Sequence, residues 1–128
     1  MTPQTIRILI SGALFVHGVG HTLGIWKPAR SLFFLKVPEP TLRLVGGTIW
    51  VIIAIGFIAS AMSFFGVLLP ADWWRPVATI FAVVSLVSLI LFGRSWPIFN
   101  LFAAAVFNIA VLVSLLYLHW PPLEMFNR

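Results

Sequence analysis

Residues 44–69 read LVGGTIWVIIAIGFIASAMSFFGVLL, a run of 26 positions without one charged side chain. An α-helix needs roughly 20 apolar residues to cross the ~30 Å hydrocarbon core of a bilayer, so this run predicts a membrane-spanning helix with residues to spare. The apolar residues follow one another without alternation, which favours a helix over a strand of a membrane barrel. Pro70, directly after the run, is expected to end the helix.

Three more apolar stretches accompany this one. They predict further spanning helices at about 6–26, 73–92 and 96–120. Asp72 is expected to cap the third helix and Gly93 to end it. So few residues then separate the third helix from the fourth that the two should be antiparallel neighbours. The whole chain, residues 1–128, predicts one all-α domain, an integral membrane bundle of four antiparallel transmembrane helices.

The only long connection, residues 27–43, joins the first predicted helix to the second. Within it, residues 31–36 read SLFFLK, which predicts a short helix in the membrane interface. The two prolines that follow, Pro38 and Pro40 on either side of Glu39, predict a turn.

The composition excludes a water-soluble domain. Hydrophobic residues make up 61% of the chain and charged residues 9%, whereas soluble domains have about half and a quarter. Cysteine is absent, which removes disulfides, thiolate metal sites and cysteine nucleophiles. The net charge is +5, but the basic residues are scattered over the ends of the apolar segments. This pattern fits lipid headgroups, so membrane lipids are expected partners and nucleic acid is not.

The basic residues also predict an orientation, because cytoplasmic connections carry the excess of Lys and Arg. The side that would hold both termini has Arg7, Arg75 and Arg128. The opposite side has Lys27, Arg30, Lys36, Arg43 and Arg94. Five against three favours a multi-pass protein of the cell inner (plasma) membrane with both termini outside.

The first predicted helix carries the most informative pattern. At 100° per residue, one arc of its surface holds Ala13, His17, Gly20, His21 and Gly24. Glycines four residues apart permit close helix approach, so this arc should face another helix in the bundle, or a second copy of the chain in a homodimer. His17 and His21 then point into protein. They either bond neighbouring helices as packing residues or form a ligand-binding site.

One further polar residue is expected at the same depth. Asn108, near the middle of the fourth helix, needs a partner inside the membrane, and a contact with His17 across the bundle fits that need. We take His17, His21 and Asn108 as candidate ligand-binding residues. His119 lies at the far end of the fourth helix and, like the six tryptophans, is interpreted as an interface residue.

The sequence supplies no set of catalytic residues. The three acids, Glu39, Asp72 and Glu124, all lie at segment edges, which disfavours proton-coupled cation exchange. No pair of haem-ligating histidines faces across two helices, and no Ser, His and acid converge at one depth. Two imidazoles from one chain fall short of a zinc site unless two subunits combine. We therefore assign no metal, no cofactor and no catalytic residue, and do not expect an enzyme.

Two stretches resemble a known family. Residues 7–18 read RILISGALFVHG, with His21 one turn on, and WWRP at 73–76 leads into a serine-containing third helix. Both look like small bacterial four-helix membrane proteins of the DoxX-like kind. The resemblance implies a role as a membrane partner of redox or sulfur-oxidation enzymes.

Three functions remain open at this point. The first is a non-enzymatic membrane subunit or scaffold that binds a protein or lipid partner. The second is binding or transport of a small molecule, lipid or quinone through a cavity within the bundle, lined by His17, His21 and Asn108. The third is an oxidoreductase-associated or quinone-handling protein.

Overall fold

The computed structural model describes residues 1–26 and 37–126, and this part of the chain is all-α as predicted. Its four α-helices are α1 (Pro3–Thr22), α2 (Glu39–Ser63), α3 (Trp74–Phe92) and α4 (Ile98–Leu112). A π-helical turn, Val113–Tyr117, prolongs α4. Short 3₁₀ turns lie at Leu23–Trp26, Ala71–Trp73, Gly93–Ser95 and Leu123–Met125. The predicted interfacial helix at 31–36 lies outside the described residues.

Within the described residues, three helical segments are long and apolar enough to cross a membrane. They are Glu39–Ser63, Ala71–Phe92 and Ile98–Tyr117. This finding supports a membrane protein. α1 has 20 residues, but it includes Gln4, Arg7 and two histidines and is not among the three. A fourth span therefore stays a prediction.

The outward surface of the helices is apolar. On α4, five large side chains are more than half exposed: Ile98, Phe99, Phe102, Val106 and Ile109. Water would penalise such a surface, whereas lipid tails are as apolar as the side chains themselves. The exposed face of α4 is therefore suited to the bilayer.

Contacts between the helices show that successive helices run antiparallel. Ser11 in the first half of α1 donates to the Ala61 carbonyl oxygen near the end of α2, over 2.9 Å, whereas Gly24, just after α1, lies against Trp50 in the first half of α2. Ser60 at the end of α2 donates to the carbonyl oxygen of Trp74, the first residue of α3. Gly93, just after α3, lies against Leu101 in the first turns of α4. The predicted antiparallel order is confirmed for all three pairs.

The fourth seam of the bundle is different. α1 packs along α2, α2 along α3 and α3 along α4, but α1 and α4 make little backbone contact with each other. The core accordingly centres on α2, where Ile53 and Phe57 are completely buried. A groove is left between α1 and α4, and the polar residues described below lie beside it.

The predicted bounds of α2, 44–69, are wrong at both ends. The helix begins at Glu39. Pro40 does not prevent this earlier start, because it falls in the first turn, where a missing N–H costs nothing. It ends at Ser63, and the residues after it reverse the chain through positive φ angles at Gly66 and Leu68. Apolar composition alone does not reveal such a turn.

Other predicted details also need correction. Asp72 does not cap α3: it lies in the preceding 3₁₀ turn, and no side chain caps that helix. Gly93 does follow the last residue of α3, as expected. Two of the six tryptophans are not interface anchors, because Trp50 is 2% exposed and Trp74 is 4% exposed. Trp74 stacks on Phe64 in the core, with ring centroids 4.2 Å apart.

Candidate functional site

Four polar side chains from three helices form a closed hydrogen-bonded ring inside the bundle. His17 Nε2 lies 3.2 Å from Asn108 Oδ1, and Asn108 Nδ2 lies 2.7 Å from Ser85 Oγ. Ser85 Oγ lies 3.1 Å from His21 Nε2, which in turn lies 3.1 Å from His17 Nε2. The predicted contact between His17 and Asn108 is therefore confirmed.

The orientation of the Asn108 amide assigns the hydrogens in this ring. Its Nδ2 donates to Ser85 Oγ, and the Ser85 hydroxyl keeps its own hydrogen, which it can donate to His21 Nε2 if that nitrogen carries none. Its Oδ1 accepts from the Nε2–H of His17, which is shared with His21 Nε2. His21 Nε2 is then an acceptor on both sides, so the single hydrogen of this neutral ring is on Nδ1.

Aromatic rings hold the two imidazoles in place. His17 stacks on Phe107 of α4 at a centroid distance of 4.1 Å and meets the edge of Phe57 at 4.8 Å. His21 stacks on Trp50 at 5.4 Å. His21 is 3% exposed, so it is buried, whereas His17 is only half-buried. These aromatic contacts restrict the orientation of both imidazoles.

A cavity of about 440 Å³ opens between α1 and α4 beside the imidazoles. That volume lies in the range of small-molecule pockets. The lining residues are Ala13, Val16, His17, Gly20, His21, Leu23, Leu89, Trp96, Asn100, Ala103, Ala104 and Phe107. Among these described residues there is no Asp, Glu, Lys or Arg. We call this cavity the α1–α4 groove.

Polar groups at one end of the groove lack partners. Within the described part of the chain, His21 Nδ1 and Trp96 Nε1 are buried without a hydrogen bond. The two rings are close, with centroids 6.4 Å apart. Asn100, half-buried in the first turn of α4, also makes no side-chain hydrogen bond to any described residue.

A second, smaller cavity of about 170 Å³ continues the opening towards the other end of the bundle. Ala13 and Phe107 line both cavities. The seam between α1 and α4 is therefore open on both sides of the place where His17 stacks on Phe107.

The predicted site residues are brought together, but with unequal access. His17 and His21 line the groove. Asn108 is completely buried behind them and bonds His17 and Ser85 without lining the cavity. Whether the groove binds a ligand stays a prediction. In the described contacts, Asn108 holds His17 from behind and does not face the cavity.

The glycine part of the prediction needs a correction. Gly20 is not a close-contact position: a Cβ built there meets nothing within 4 Å, and the residue opens into the groove. Gly24 is packed, since its Cβ would lie 2.7 Å from both Trp50 and Trp96. The close approach to α2 occurs at Gly18, where a Cβ would lie 3.0 Å from the Ala54 carbonyl oxygen.

Sequence reasoning did not single out three residues of this site, Ser85, Trp96 and Asn100. The sequence did contain a signal for Ser85. Because the turn between α3 and α4 is short, residues that lie at similar distances from the turn on the two helices are neighbours, and Ser85 and Asn108 are such residues. Ser88 lacks that role, because its hydroxyl donates to the Val84 carbonyl oxygen of its own helix. Nothing in the sequence distinguished Trp96 from the other tryptophans.

The remaining histidine lies elsewhere, as expected. His119 follows the π turn and is exposed, with Nδ1 3.1 Å from the Tyr117 carbonyl oxygen. Across residues 1–26 and 37–126, no three His, Asp or Glu side chains come together in a group that would hold a metal ion.

The resemblance to DoxX-like proteins stays a prediction. Compared with models of protein families, with curated proteins and with solved structures, the chain gives no significant match.

Proposed function

We propose that this chain is a small multi-pass membrane protein that holds an amphipathic molecule, such as a lipid or a quinone, in the α1–α4 groove. His17 and His21 form the polar wall of the site. Asn108, with Ser85, holds the two imidazoles in position. The observation that supports this proposal is an open groove of about 440 Å³ beside an otherwise buried histidine pair.

A purely structural role explains the groove less well. Four polar side chains that bond one another would stabilise helix packing without any cavity beside them. Membrane helices ordinarily gain stability from close van der Waals packing, and an unfilled seam forgoes that gain. Gly20 and the alanines of α4 keep this seam wide, which suits the tail of a bound molecule.

The proposal includes four spans in a bacterial inner membrane, with both termini outside. Support for α1 as the fourth span comes from its packing along α2, from Ser11 beside Ala61 to Gly24 beside Trp50. A helix that follows a spanning helix over this length shares its depth. A reporter fused after residue 128 should be active in the periplasm, and cytoplasmic activity would reverse the orientation.

The test of the groove uses two glycines of the same helix. Gly20→Leu places a side chain into the groove, whereas Gly12→Leu places one outside it, and neither Cβ meets a neighbour within 4 Å. Each protein is purified from native membrane in mild detergent, and extracted molecules are measured by mass spectrometry. We expect wild type and Gly12→Leu to retain a lipid or quinone near one equivalent, and Gly20→Leu to lose it. Equal retention by all three proteins would refute the proposal.

A second candidate is a membrane subunit or scaffold with a protein partner, which also fits the DoxX-like resemblance. The specific observation is the low burial of α4: 11% of its span window is buried, against 44% for α2. A partner subunit or a second copy would cover that face. A stoichiometric protein that copurifies with the chain and is lost on Phe102→Lys would favour this function over ligand binding.

A further inference from the structure

The ring of hydrogen bonds leaves specific groups of the groove unused. His21 uses only Nε2 within the ring, so its Nδ1–H has no partner among the described residues. Trp96 Nε1–H likewise has no hydrogen-bond partner among the described residues. A buried polar group without a partner opposes folding, so such groups ordinarily find a protein or ligand partner.

Both unused groups are hydrogen-bond donors. The indole nitrogen of Trp96 can only donate, and the tautomer assigned to His21 makes its Nδ1 a donor as well. The two rings are nearly perpendicular, at 77°, and their centroids are 6.4 Å apart. One head group of a bound molecule can therefore meet both, and the chemistry that complements two donors is an acceptor oxygen.

The rest of the groove restricts the ligand further. No Asp, Glu, Lys or Arg occurs among its described lining residues, so these residues offer a charged head group no counter-charge. Val16, Ala104 and Phe107 provide an apolar path beyond the donors. This distribution suits an uncharged head with an apolar tail.

The donors also lie at a suitable depth. His21 is in the last turn of α1, and Trp96 lies two residues before the start of α4. If these helices span the bilayer, both donors lie near one interface, with the apolar part of the groove leading inwards. An amphipathic molecule in the membrane has the same arrangement, with its polar head at the interface and its tail below.

We propose that the groove binds an uncharged amphipathic molecule through a carbonyl-type oxygen, which accepts hydrogen bonds from His21 Nδ1–H and Trp96 Nε1–H. The inference rests on the proposed function of the groove and names the chemistry that it recognises. Both nitrogens are buried, so binding requires the side chains around them to move and admit the oxygen. The carbonyl belongs either to the ester of a membrane lipid or to a free molecule dissolved in the bilayer.

The test compares two fluorinated probes that differ only at the carbonyl. The ketone 1-(4-fluorophenyl)dodecan-1-one and the alkylbenzene 1-dodecyl-4-fluorobenzene are added to the purified full chain in lipid nanodiscs, and binding is followed by ¹⁹F NMR. We expect the ketone to bind about tenfold more tightly, the effect of roughly one net hydrogen bond. Equal binding of the two probes overturns the inference without needing any variant.

Trp96→Phe tests the donor itself, because it removes Nε1–H and keeps an aromatic ring. The ketone preference over the alkylbenzene should fall from about tenfold to about threefold or less, because only the ketone uses the Nε1–H. The matched control is Trp73→Phe, at an exposed tryptophan near the other end of the bundle. If Trp96→Phe weakens both probes equally, or neither, Trp96 does not recognise the carbonyl.

Gly20→Leu separates the failure of this inference from failure of the proposed function. If both probes bind equally and both are lost in Gly20→Leu, the groove binds molecules but does not recognise a carbonyl. If neither depends on Gly20, both proposals fail. Nanodiscs of ester-linked and ether-linked phosphatidylcholine then identify the source, since only the ester lipid has carbonyls to compete. Weaker ketone binding in the ester lipid indicates a lipid ligand, and equal binding indicates a free molecule.

Discussion

α1 meets its two neighbours in opposite ways. Towards α2 it is closely packed: Gly18 leaves no room for a side chain, and Ser11 bonds the Ala61 carbonyl oxygen. Towards α4 it is open, with Gly20 facing a cavity and the main bridge made by His17. The same residue type, glycine, closes one seam and widens the other. The α1–α2 seam therefore holds the fold, and the α1–α4 seam is the one in which we propose that another molecule binds.

The largest effect should come from filling the closed seam. Gly18→Leu forces its side chain against the Ala54 carbonyl oxygen and Phe57 Cβ, each 3.0 Å from a Cβ built at this position. We expect a loss of about 3 kcal/mol in the free energy of unfolding, the upper part of the range for overpacking. Unfolding in a denaturing detergent, followed by circular dichroism, measures it. Gly12→Leu is the control, and a loss of equal size there would contradict the division into closed and open seams.

The next effect concerns the polar bridge behind the groove. Asn108→Leu leaves Ser85 and His17 without their amide partner inside the bundle. The free energy of unfolding should fall by about 1 to 2 kcal/mol, as expected for interhelical hydrogen bonds in membranes. The same unfolding measurement applies, with Thr48→Val as control, because among the described residues Thr48 bonds only the Leu44 carbonyl oxygen of its own helix. An unchanged stability would show that the ring of hydrogen bonds does not hold α4.

Replacing the histidine pair should change stability little and ligand retention strongly. Replacing both His17 and His21 with Gln keeps hydrogen-bonding side chains, so we expect a loss of about 1 kcal/mol or less in stability. Retention of the copurifying molecule should nevertheless be abolished, because the aromatic imidazoles that line the groove are gone. Mass spectrometry of extracts from the folded variant measures this. Full retention would reduce the pair to packing residues.

The smallest effect should be found at the edge of the closed seam. Ser11→Ala removes the hydrogen bond to the Ala61 carbonyl oxygen but leaves the close approach at Gly18 intact. Single interhelical hydrogen bonds in a membrane protein are worth about 0.6 kcal/mol on average, so the loss in stability should be of that size. A loss larger than that of Asn108→Leu would reverse the order of importance that the burial of the two sites indicates.

The sequence predicted those features that depend on depth along a helix. Asn108 and His17 were expected to meet because they lie at similar depths, and they do. Features that depend on rotation about a helix axis were less predictable. α1 and the 3₁₀ turn after it carry glycines at Gly12, Gly18, Gly20 and Gly24, and the pattern of apolar residues around them does not show which one touches a neighbour.

The ends of α2 and the positions of the tryptophans illustrate a second limit. In a membrane helix, apolar residues occur both in the core and on the lipid-facing surface, so hydrophobicity does not separate the two. Trp50 and Trp74 were expected at the interface but are buried, and Phe64 belongs to a turn although it continues an apolar run. Contacts between elements decide these positions, and a single sequence does not contain them.

The π turn at Val113–Tyr117 has a geometric effect on everything that follows it. A π turn corresponds to an α-helix with one residue inserted, so the chain beyond it is rotated by about 100° relative to an uninterrupted α-helix. The segment beyond it returns over the end of the bundle, where Phe126 meets the rings of Phe64 and Trp74 and its carbonyl oxygen accepts from Arg7. The extra residue directly after α4 thus changes the direction in which residues 118–126 leave the helix.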